Sequence, residues 1–294
     1  VGGLQKLNNA FVDTKSRNSL LSRTTLVVFD EAHRIIAPTY ERIVNLLSVS
    51  HGSVLGLTAT PGRDTIDPER NRVFAEYFDN NKVTLEVEGF ESPIDYLQSE
   101  GYLAVPSYYP LEIKEAESKF SRNELKSLQL GGDFSDSMLK KLGNDSKRNL
   151  IIASKIIEVL NKGLQTIVFA CSVDHAEALT VLLKYKNQKV GLVTGKTNKD
   201  VRKKNITDFK DGKLIGLINF GVLTTGFDAP KTKAVIITRP TTSLSLYSQM
   251  VGRATRGPKV KGTKSCEIHT VIDTQFSNFN NLTDSFYNWE EYFK

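Results

Sequence analysis

Two kinds of hydrophobic pattern alternate along the chain. Short continuous apolar runs, such as 26–29 and 54–57, have the length of strands buried on both faces. Between them, apolar residues recur every three or four positions, which is typical of one face of a helix. Because strands that alternate with helices of this length imply right-handed crossovers, the sequence predicts an α/β fold with parallel sheets.

The clearest alternation begins after residue 147. The pattern predicts helices at 148–161, 174–185, 200–209 and 244–252, and strands at 166–170, 190–194, 214–219, 234–238 and 266–272. A chain of 294 residues suits two domains of ordinary size. We therefore expect a first domain at 1–110, a solvated helical connector at 111–147 and a second domain at 148–294.

The apolar run at 26–29 stops at two carboxylates, Asp30 and Glu31. Ligands of open α/β sheets bind beyond the carboxyl ends of the strands, so both side chains are expected at the site. One carboxylate there can hold a hydrated Mg²⁺ on a nucleoside triphosphate, and a second can orient and deprotonate the attacking water. Taken alone, the stretch also suits a surface strand end with two solvated acids and an incidental His33.

The run at 54–57 ends in Thr58-Ala59-Thr60, followed by a Pro-Gly pair. Small hydroxyl residues at a strand end can link a nucleotide site to a moving neighbour through hydrogen bonds. An ordinary Pro-Gly turn is the alternative. The nearby acidic strand end favours the linking role.

Two stretches after residue 147 carry further candidate chemistry. The loop at 219–230 follows a strand, and its threonines and backbone amides can bind a phosphate backbone that Gly226 allows to approach closely. Arg253 and Arg256 are spaced one helical turn apart. Such arginines can neutralise charge on a γ-phosphate, an effect worth roughly 10³ to 10⁵ in rate in other NTPases. A surface ion pair is the alternative for each.

Composition narrows the class of protein. The net charge of +6 and the pI near 9.1 favour a polyanionic partner only modestly. No run is long enough to cross a bilayer and no secretory signal is visible, so we expect a cytoplasmic protein without membrane contact. Cys171 and Cys266 have no partner at metal-ligand spacing, which argues against a zinc site or a disulfide scaffold.

A phosphate loop is missing from the pattern. No Gly-x-x-x-x-Gly-Lys-Ser/Thr stretch precedes Asp30. Gly195-Lys196-Thr197 has its upstream glycine, Gly191, one residue too close. We therefore expect an N-terminal segment with this loop to be missing from the chain.

Five stretches, taken in chain order, together resemble a known family. They are similar in order and spacing to motifs II to VI of the superfamily 2 helicases: Asp30-Glu31-Ala32-His33, Thr58-Ala59-Thr60, Phe169-Ala170-Cys171-Ser172, Thr224-Thr225-Gly226-Phe227-Asp228 and Gln249-x-x-Gly252-Arg253-x-x-Arg256. The resemblance is greatest to DEAD/DEAH-box proteins of the DNA-repair and restriction-enzyme motor branch.

The resemblance implies two RecA-like parallel-sheet domains that close around ATP, the first of them N-terminally incomplete. Asp30 would bind Mg²⁺ through water, and Glu31 would activate the hydrolytic water. The side chains that would couple nucleotide state to domain closure are His33, Gln249, Thr58 and Thr60.

The resemblance also assigns roles to the second domain. Arg253 and Arg256 would sense the γ-phosphate, and Gly226 and Asp228 would lie near the ribose or these arginines. The nucleic-acid backbone would be contacted by Ser172, Thr194, Thr224 and Thr225. The implied function is that of an ATP-dependent helicase or translocase, on DNA rather than RNA. The alternative is a catalytically silent nucleic-acid-binding or regulatory fragment that lacks the phosphate loop.

Overall fold

The computed structural model of the protein describes residues 3–48, 52–58, 68–83, 86–114, 116–130, 132–223 and 227–279. These residues form two compact units, which divide between residues 84 and 85. Within each sheet, every pair of neighbouring strands is parallel. The predicted α/β class is therefore confirmed. No helix in these ranges is long and apolar enough to cross a bilayer.

The first unit is built on a pair of parallel strands. In chain order its elements are α1 (Leu4–Val12), α2 (Thr14–Arg23), β1 (Leu26–Asp30), a 3₁₀ turn (Ala32–Arg34), α3 (Pro38–Ser48), β2 (Ser53–Leu57) and α4 (Pro68–Tyr77). Asp30 is the register partner of Leu57, so β1 and β2 end side by side. Residues that follow the two strands are thereby brought together.

Only one face of this two-stranded sheet is covered within the described residues. Val27, Phe29 and Val54 pack against a buried cluster formed by Ala32, Ile35, Val44 and Phe74. The side chains that point the other way are about half exposed: Leu26, Val28, Leu55 and Leu57. The prediction of strands buried on both faces is wrong for β1 and β2, because side chains alternate along a strand and the packed helices cover one side only.

The second unit contains a six-stranded parallel sheet. Its elements are α5 (Pro93–Ser99), β3 (Val105–Ile113), α6 (Arg122–Gln129), α7 (Asp136–Gly143), α8 (Ser146–Asn161), β4 (Thr166–Phe169), α9 (Val173–Tyr185), β5 (Val190–Thr194), α10 (Lys199–Lys210), β6 (Gly216–Phe220), β7 (Ala234–Ile237), α11 (Leu244–Val251) and β8 (Ser265–Asp273), with 3₁₀ turns at Pro258–Val260 and Thr274–Phe279. The strand order is β3-β8-β7-β4-β6-β5.

Here the central strands are buried on both faces, as the continuous apolar runs predicted. Ile167 and Phe169 of β4 belong to one buried cluster, together with Met250 of α11. Val168 faces a second cluster, which includes Ile156 of α8 and Leu179 of α9. The five strands predicted after residue 147 are all present, and their bounds agree to within one or two residues.

One strand of this sheet was not predicted, and it changes where the chain divides. β3 pairs with β8 along nine residues, from Val105 opposite Ser265 to Ile113 opposite Asp273. Residues 86–113 therefore belong to the second unit, and the division lies near residue 84 rather than at 110.

The expected connector at 111–147 is also more than a solvated linker. It contains the helices α6 and α7, which bury four apolar side chains around Cys171 and Phe276: Leu128, Met138, Leu139 and Leu142. The polar residues that suggested a linker lie on the outer faces of these two short helices. The segment is a packed part of the second unit.

Candidate functional site

The acidic end of β1 has an unusual backbone. Asp30 is the last residue of the strand and is exposed, and its Oδ1 accepts a hydrogen bond of 2.9 Å from the Glu31 N–H. Glu31 has φ 58° and ψ 50°, a left-handed conformation that costs a non-glycine residue about 1–2 kcal/mol. The Glu31 side chain is 38% exposed. Both carboxylates are therefore accessible at the carboxyl end of the strand.

His33 joins the ends of the two strands. It lies on the 3₁₀ turn that follows Glu31 and is only 6% exposed. Its Nδ1 is 3.2 Å from Oγ1 of Thr58, the residue after β2, and 3.4 Å from Oε2 of Glu31. The structure thus brings together three of the side chains chosen from the sequence. Thr60 lies outside the described residues.

The two arginines lie beyond α11 rather than on it. The helix ends at Val251 with Gly252 as its cap, so the expected shared helical face does not exist. Nη1 of Arg253 instead donates a hydrogen bond to the carbonyl oxygen of Phe227, and Arg256 forms an ion pair with Asp228.

After α11 ends, the chain takes a different course. The chain turns at residues 252–254, and the backbone of Arg256 forms an isolated antiparallel bridge with Leu103. Arg253 and Arg256 thereby both contact the segment 227–228. Gln249 is half-buried on the last turns of α11.

The hydroxyl groups proposed to bind nucleic acid are largely engaged within the protein. Ser172 is 5% exposed, and its Oγ accepts a hydrogen bond of 3.1 Å from the His175 N–H at the start of α9. Thr194, at the end of β5, is fully buried, with Oγ1 3.0 Å from Oγ1 of Thr197. The exposed residues at this strand end are Gly195 and Lys196. Thr224, Thr225 and Gly226 lie outside the described residues.

His175, beside Ser172, is held neutral. Burial and the nearby positive charge of Arg148 lower the pKa of His175 to about 3. Its Nδ1 accepts a hydrogen bond of 3.1 Å from the Cys171 N–H, as a neutral ring can. The imidazole therefore serves the packing between β4 and α9.

One cation near these strand ends was missed by sequence reasoning. Arg239 follows β7 closely and is half-buried, with its guanidinium carbon 5.9 Å from the centre of the Phe220 ring. The same sequence pattern that identified Asp30 would have identified Arg239, because both charged residues closely follow a continuous apolar run.

Two family profiles match the chain. The profile described as "Type III restriction enzyme, res subunit" matches residues 1–63, and "Helicase conserved C-terminal domain" matches residues 148–258. Together they span more than half of the chain, and the matched ranges contain all five motifs. Both matches support the assignment of the chain to the superfamily 2 helicases. The first profile describes restriction-enzyme subunits, the branch that the motifs resemble most.

Relatives of this helicase chain include viral and fungal proteins. A "51.5 kDa protein" of Lactococcus phage (isolate 7-9) is 28% identical over 283 residues, covering 95% of this chain and 56% of the relative. IRC3 of Saccharomyces cerevisiae, which its name assigns as an ATP-dependent helicase, is 27% identical over 237 residues, covering 79% of this chain and 32% of IRC3. The chain thus spans only about one third to one half of these proteins.

Solved structures agree on the fold of this helicase chain. A fragment assigned as the HsdR subunit of a type I restriction enzyme from Vibrio vulnificus has a TM-score of 0.63 at 22% identity, covering 96% of this chain and 49% of that one. The Mycobacterium smegmatis helicase Lhr, solved with ssDNA and AMP-PNP, has a TM-score of 0.56 at 17% identity, covering 98% and 33%. These similarities confirm the RecA-like parallel-sheet fold.

Proposed function

We propose that this chain carries the water-activating and the arginine-bearing parts of an ATP-dependent DNA helicase or translocase. The observation that carries the proposal is the contact of His33 with both Glu31 and Thr58. It joins the residue proposed to activate water to the end of the next strand. Such a contact can pass a change at the nucleotide to a neighbouring element.

The acidic strand end suits a magnesium nucleotide. Asp30 and Glu31 are accessible carboxylates on adjacent residues. No cluster of three or more potential metal ligands exists among the described residues, and Mg²⁺ on a nucleotide needs none, because it is held by one or two carboxylates, water and phosphates. When bound, the ion would neutralise charge on the phosphates. Asp30 would hold it through water, and Glu31 would orient and deprotonate the attacking water.

The arginines of the second unit would act on the same ATP. In the structure Arg253 and Arg256 are engaged with the Phe227 carbonyl and with Asp228. A γ-phosphate would compete with Asp228 for Arg256, so Asp228 would hold the guanidinium ready until nucleotide binds. Gln249 and His33 would report nucleotide state, together with Thr60. Gly226 would lie near the ribose.

The nucleic acid would be held by its phosphate backbone. Thr224 and Thr225 remain predicted contacts, and Ser172 and Thr194 are supported less directly, because their hydroxyls already have partners. DNA is proposed over RNA because the first profile describes restriction enzymes and because the structural neighbour Lhr was solved with ssDNA.

The test is ATP turnover by the full-length protein, with and without single-stranded DNA. Glu31→Gln should lower DNA-stimulated turnover about 10²- to 10⁴-fold, the usual contribution of a general base, while ATP affinity stays nearly unchanged. Glu41→Gln, at an exposed glutamate of α3 in the same unit, is the matched control and should keep full turnover.

Two other outcomes would contradict the proposal. Retained turnover in Glu31→Gln would remove the role given to Glu31. Strand binding without any turnover in the unchanged full-length protein would favour the silent regulatory alternative. The same assay with RNA in place of DNA tests the choice of nucleic acid.

A further inference from the structure

We propose that Arg239 binds a phosphodiester group of the nucleic acid at the carboxyl edge of the second unit's sheet. This inference rests on the proposed nucleic-acid function and adds a binding residue that none of the five motifs contains. Its basis is a positive charge that the fold positions firmly and leaves without a partner among the described residues.

The backbone before Arg239 is fixed by four hydrogen bonds. The preceding residue, Thr238, donates from its N–H at 3.0 Å and from Oγ1 at 2.8 Å to the Phe169 carbonyl oxygen. The Thr238 carbonyl oxygen accepts hydrogen bonds from Nη2 of Arg148 at 2.6 Å and from Sγ of Cys171 at 3.2 Å. Arg239 therefore leaves the sheet from a rigid position.

The backbone after Arg239 is fixed as well. Pro240 follows directly and is buried. Oγ1 of Thr241 and the N–H of Thr242 then each donate a hydrogen bond of 2.9 Å to the carboxylate of Asp133. Asp133 could otherwise neutralise the charge of Arg239, but its carboxylate accepts these two hydrogen bonds instead.

The guanidinium itself has a different environment. Its Nε is buried and has no hydrogen-bond partner among the described residues, and its guanidinium carbon lies 5.9 Å from the centre of the Phe220 ring. Phe220 ends β6, and β4 lies between β6 and β7. With strands about 4.8 Å apart, the side chain of Arg239 must extend across the end of β4 to reach it. The group thus lies beside the carboxyl ends of β4 and β6, and Ser172 follows the first of these ends.

Arg148 is the fully buried arginine of the same unit, and it is paired with a carboxylate. Its Nε and Nη2 bind both carboxylate oxygens of Asp273, at 2.7 and 3.0 Å. Two other acids of this unit are engaged, Asp133 by Thr241 and Thr242 and Asp228 by Arg256. Across the described ranges, no carboxylate pairs with Arg239.

A buried donor without a partner calls for an explanation, and because Arg239 is only half-buried, a ligand from outside can approach its guanidinium. The guanidinium presents planar donors that match phosphate oxygens, and the Phe220 ring lies within cation–π distance of it. At the carboxyl edge of the sheet a phosphate can come from the nucleic-acid backbone or from a nucleotide. We assign the phosphate bound by Arg239 to the nucleic acid, because Arg253 and Arg256 already provide the arginines proposed for the nucleotide.

The experiment measures binding of fluorescent single-stranded DNA by the 294-residue chain at several salt concentrations. Arg239→Ala should weaken binding about tenfold, as expected for one charge-assisted contact. The plot of log affinity against log salt should become shallower by about 0.7, the value for one phosphate on a single strand. Arg239→Lys, which keeps the charge, should keep the slope and lose less affinity.

Lys233→Ala is the matched control. Lys233 is exposed and immediately precedes β7, so it lies at the opposite end of the same strand. The substitution Lys233→Ala also removes one positive charge, and it should leave both the DNA affinity and the salt slope unchanged. A purely structural role for Arg239 would instead lower the melting temperature of Arg239→Ala and leave the salt slope as it is.

The remaining outcomes separate the two proposals. Unchanged DNA binding by Arg239→Ala, with normal binding by the unaltered chain, overturns this inference and leaves the proposed function intact. Loss of affinity for a fluorescent ATP analogue without loss of DNA affinity assigns Arg239 to the nucleotide and also overturns it. Failure of the unaltered chain to bind any DNA overturns this inference, and DNA-stimulated ATP turnover by the full-length protein then decides the proposed function.

Discussion

Arg148 and His175 are both fully buried around Cys171, and the fold keeps one charged and the other neutral. Burial alone would lower the pKa of Arg148, but the sulfur of Cys171 and the paired carboxylate of Asp273 outweigh it and hold that pKa above its usual range. His175 has no such counter-charge, and burial lowers its pKa to about 3. The difference follows from the neighbours rather than from depth.

We predict that His175 makes the second unit sensitive to mild acid. Its pKa rises from about 3 in the folded chain to an ordinary 6.5 on unfolding. The unfolded state therefore binds more protons between these values, and the free energy of unfolding falls as the pH is lowered through 6.5. The expected loss between about pH 7 and about pH 5 is roughly 2 kcal/mol, measured by urea unfolding.

His175→Asn is the comparison for this prediction. Its Oδ1 can still accept a hydrogen bond from the Cys171 N–H, which His175 now accepts through Nδ1. The variant should be less stable at neutral pH, because it leaves a cavity, but should lose less stability on acidification. An equal loss in both proteins would show that other groups cause the acid sensitivity.

For single residues, the sequence predicted which side chains lie at the site better than it predicted their hydrogen-bond partners. Asp30, Glu31, His33 and Thr58 were found because each lies at or just after a strand end, where the topology of the sheet dictates proximity. The engagement of Thr194 with Thr197 was not predictable from type and position alone. A hydroxyl that suits a phosphate suits an internal partner equally well.

Among the elements, β2 depends on a glycine where two other parts of the first unit approach it closely. A Cβ on Gly56 would lie 2.5 Å from Cζ of Phe78 and 2.8 Å from Cβ of Ala32. We expect Gly56→Ala to destabilise this unit by about 1–3 kcal/mol, the usual cost of overpacking. The measurement is chemical unfolding followed by circular dichroism.

A second substitution tests whether Phe78 is the cause. In a Phe78→Leu background the ring no longer occupies the space beside Gly56, so Gly56→Ala should cost clearly less than in the unaltered chain. Equal costs in the two backgrounds would mean that the contact with Ala32, at the start of the 3₁₀ turn that carries His33, dominates instead.

Two elements were misjudged, each for its own physical reason. β3 was not recognised because its nine residues include Pro106 and Pro110, and its pairing with β8 joins segments far apart in the sequence. The end of α11 was placed one residue too late, because the helix ends at Val251 and the chain turns through local hydrogen bonds at 252–254 before Arg256 pairs with Leu103.

For the whole molecule, the order of five motifs predicted the family and the fold. The predicted boundary between the units, however, lies about 25 residues after the observed one. The motifs are local and need only short stretches of chain. The boundary depends on which sheet β3 joins, and that is set by the length of its pairing with β8. Periodicity carries no information about such a partner.

The chain as a whole is positively charged. It carries a net charge of +6, and the proposed contacts fall on phosphates, which carry no base information. We therefore expect two DNA strands of equal length and unrelated sequence to bind with the same affinity. If about four phosphates are neutralised, raising salt from about 50 to about 200 mM should weaken both roughly 50-fold. Unequal affinities at one salt concentration would indicate contacts with the bases. A slope near zero would show that few counterions are released, and phosphates would then not be the main contacts.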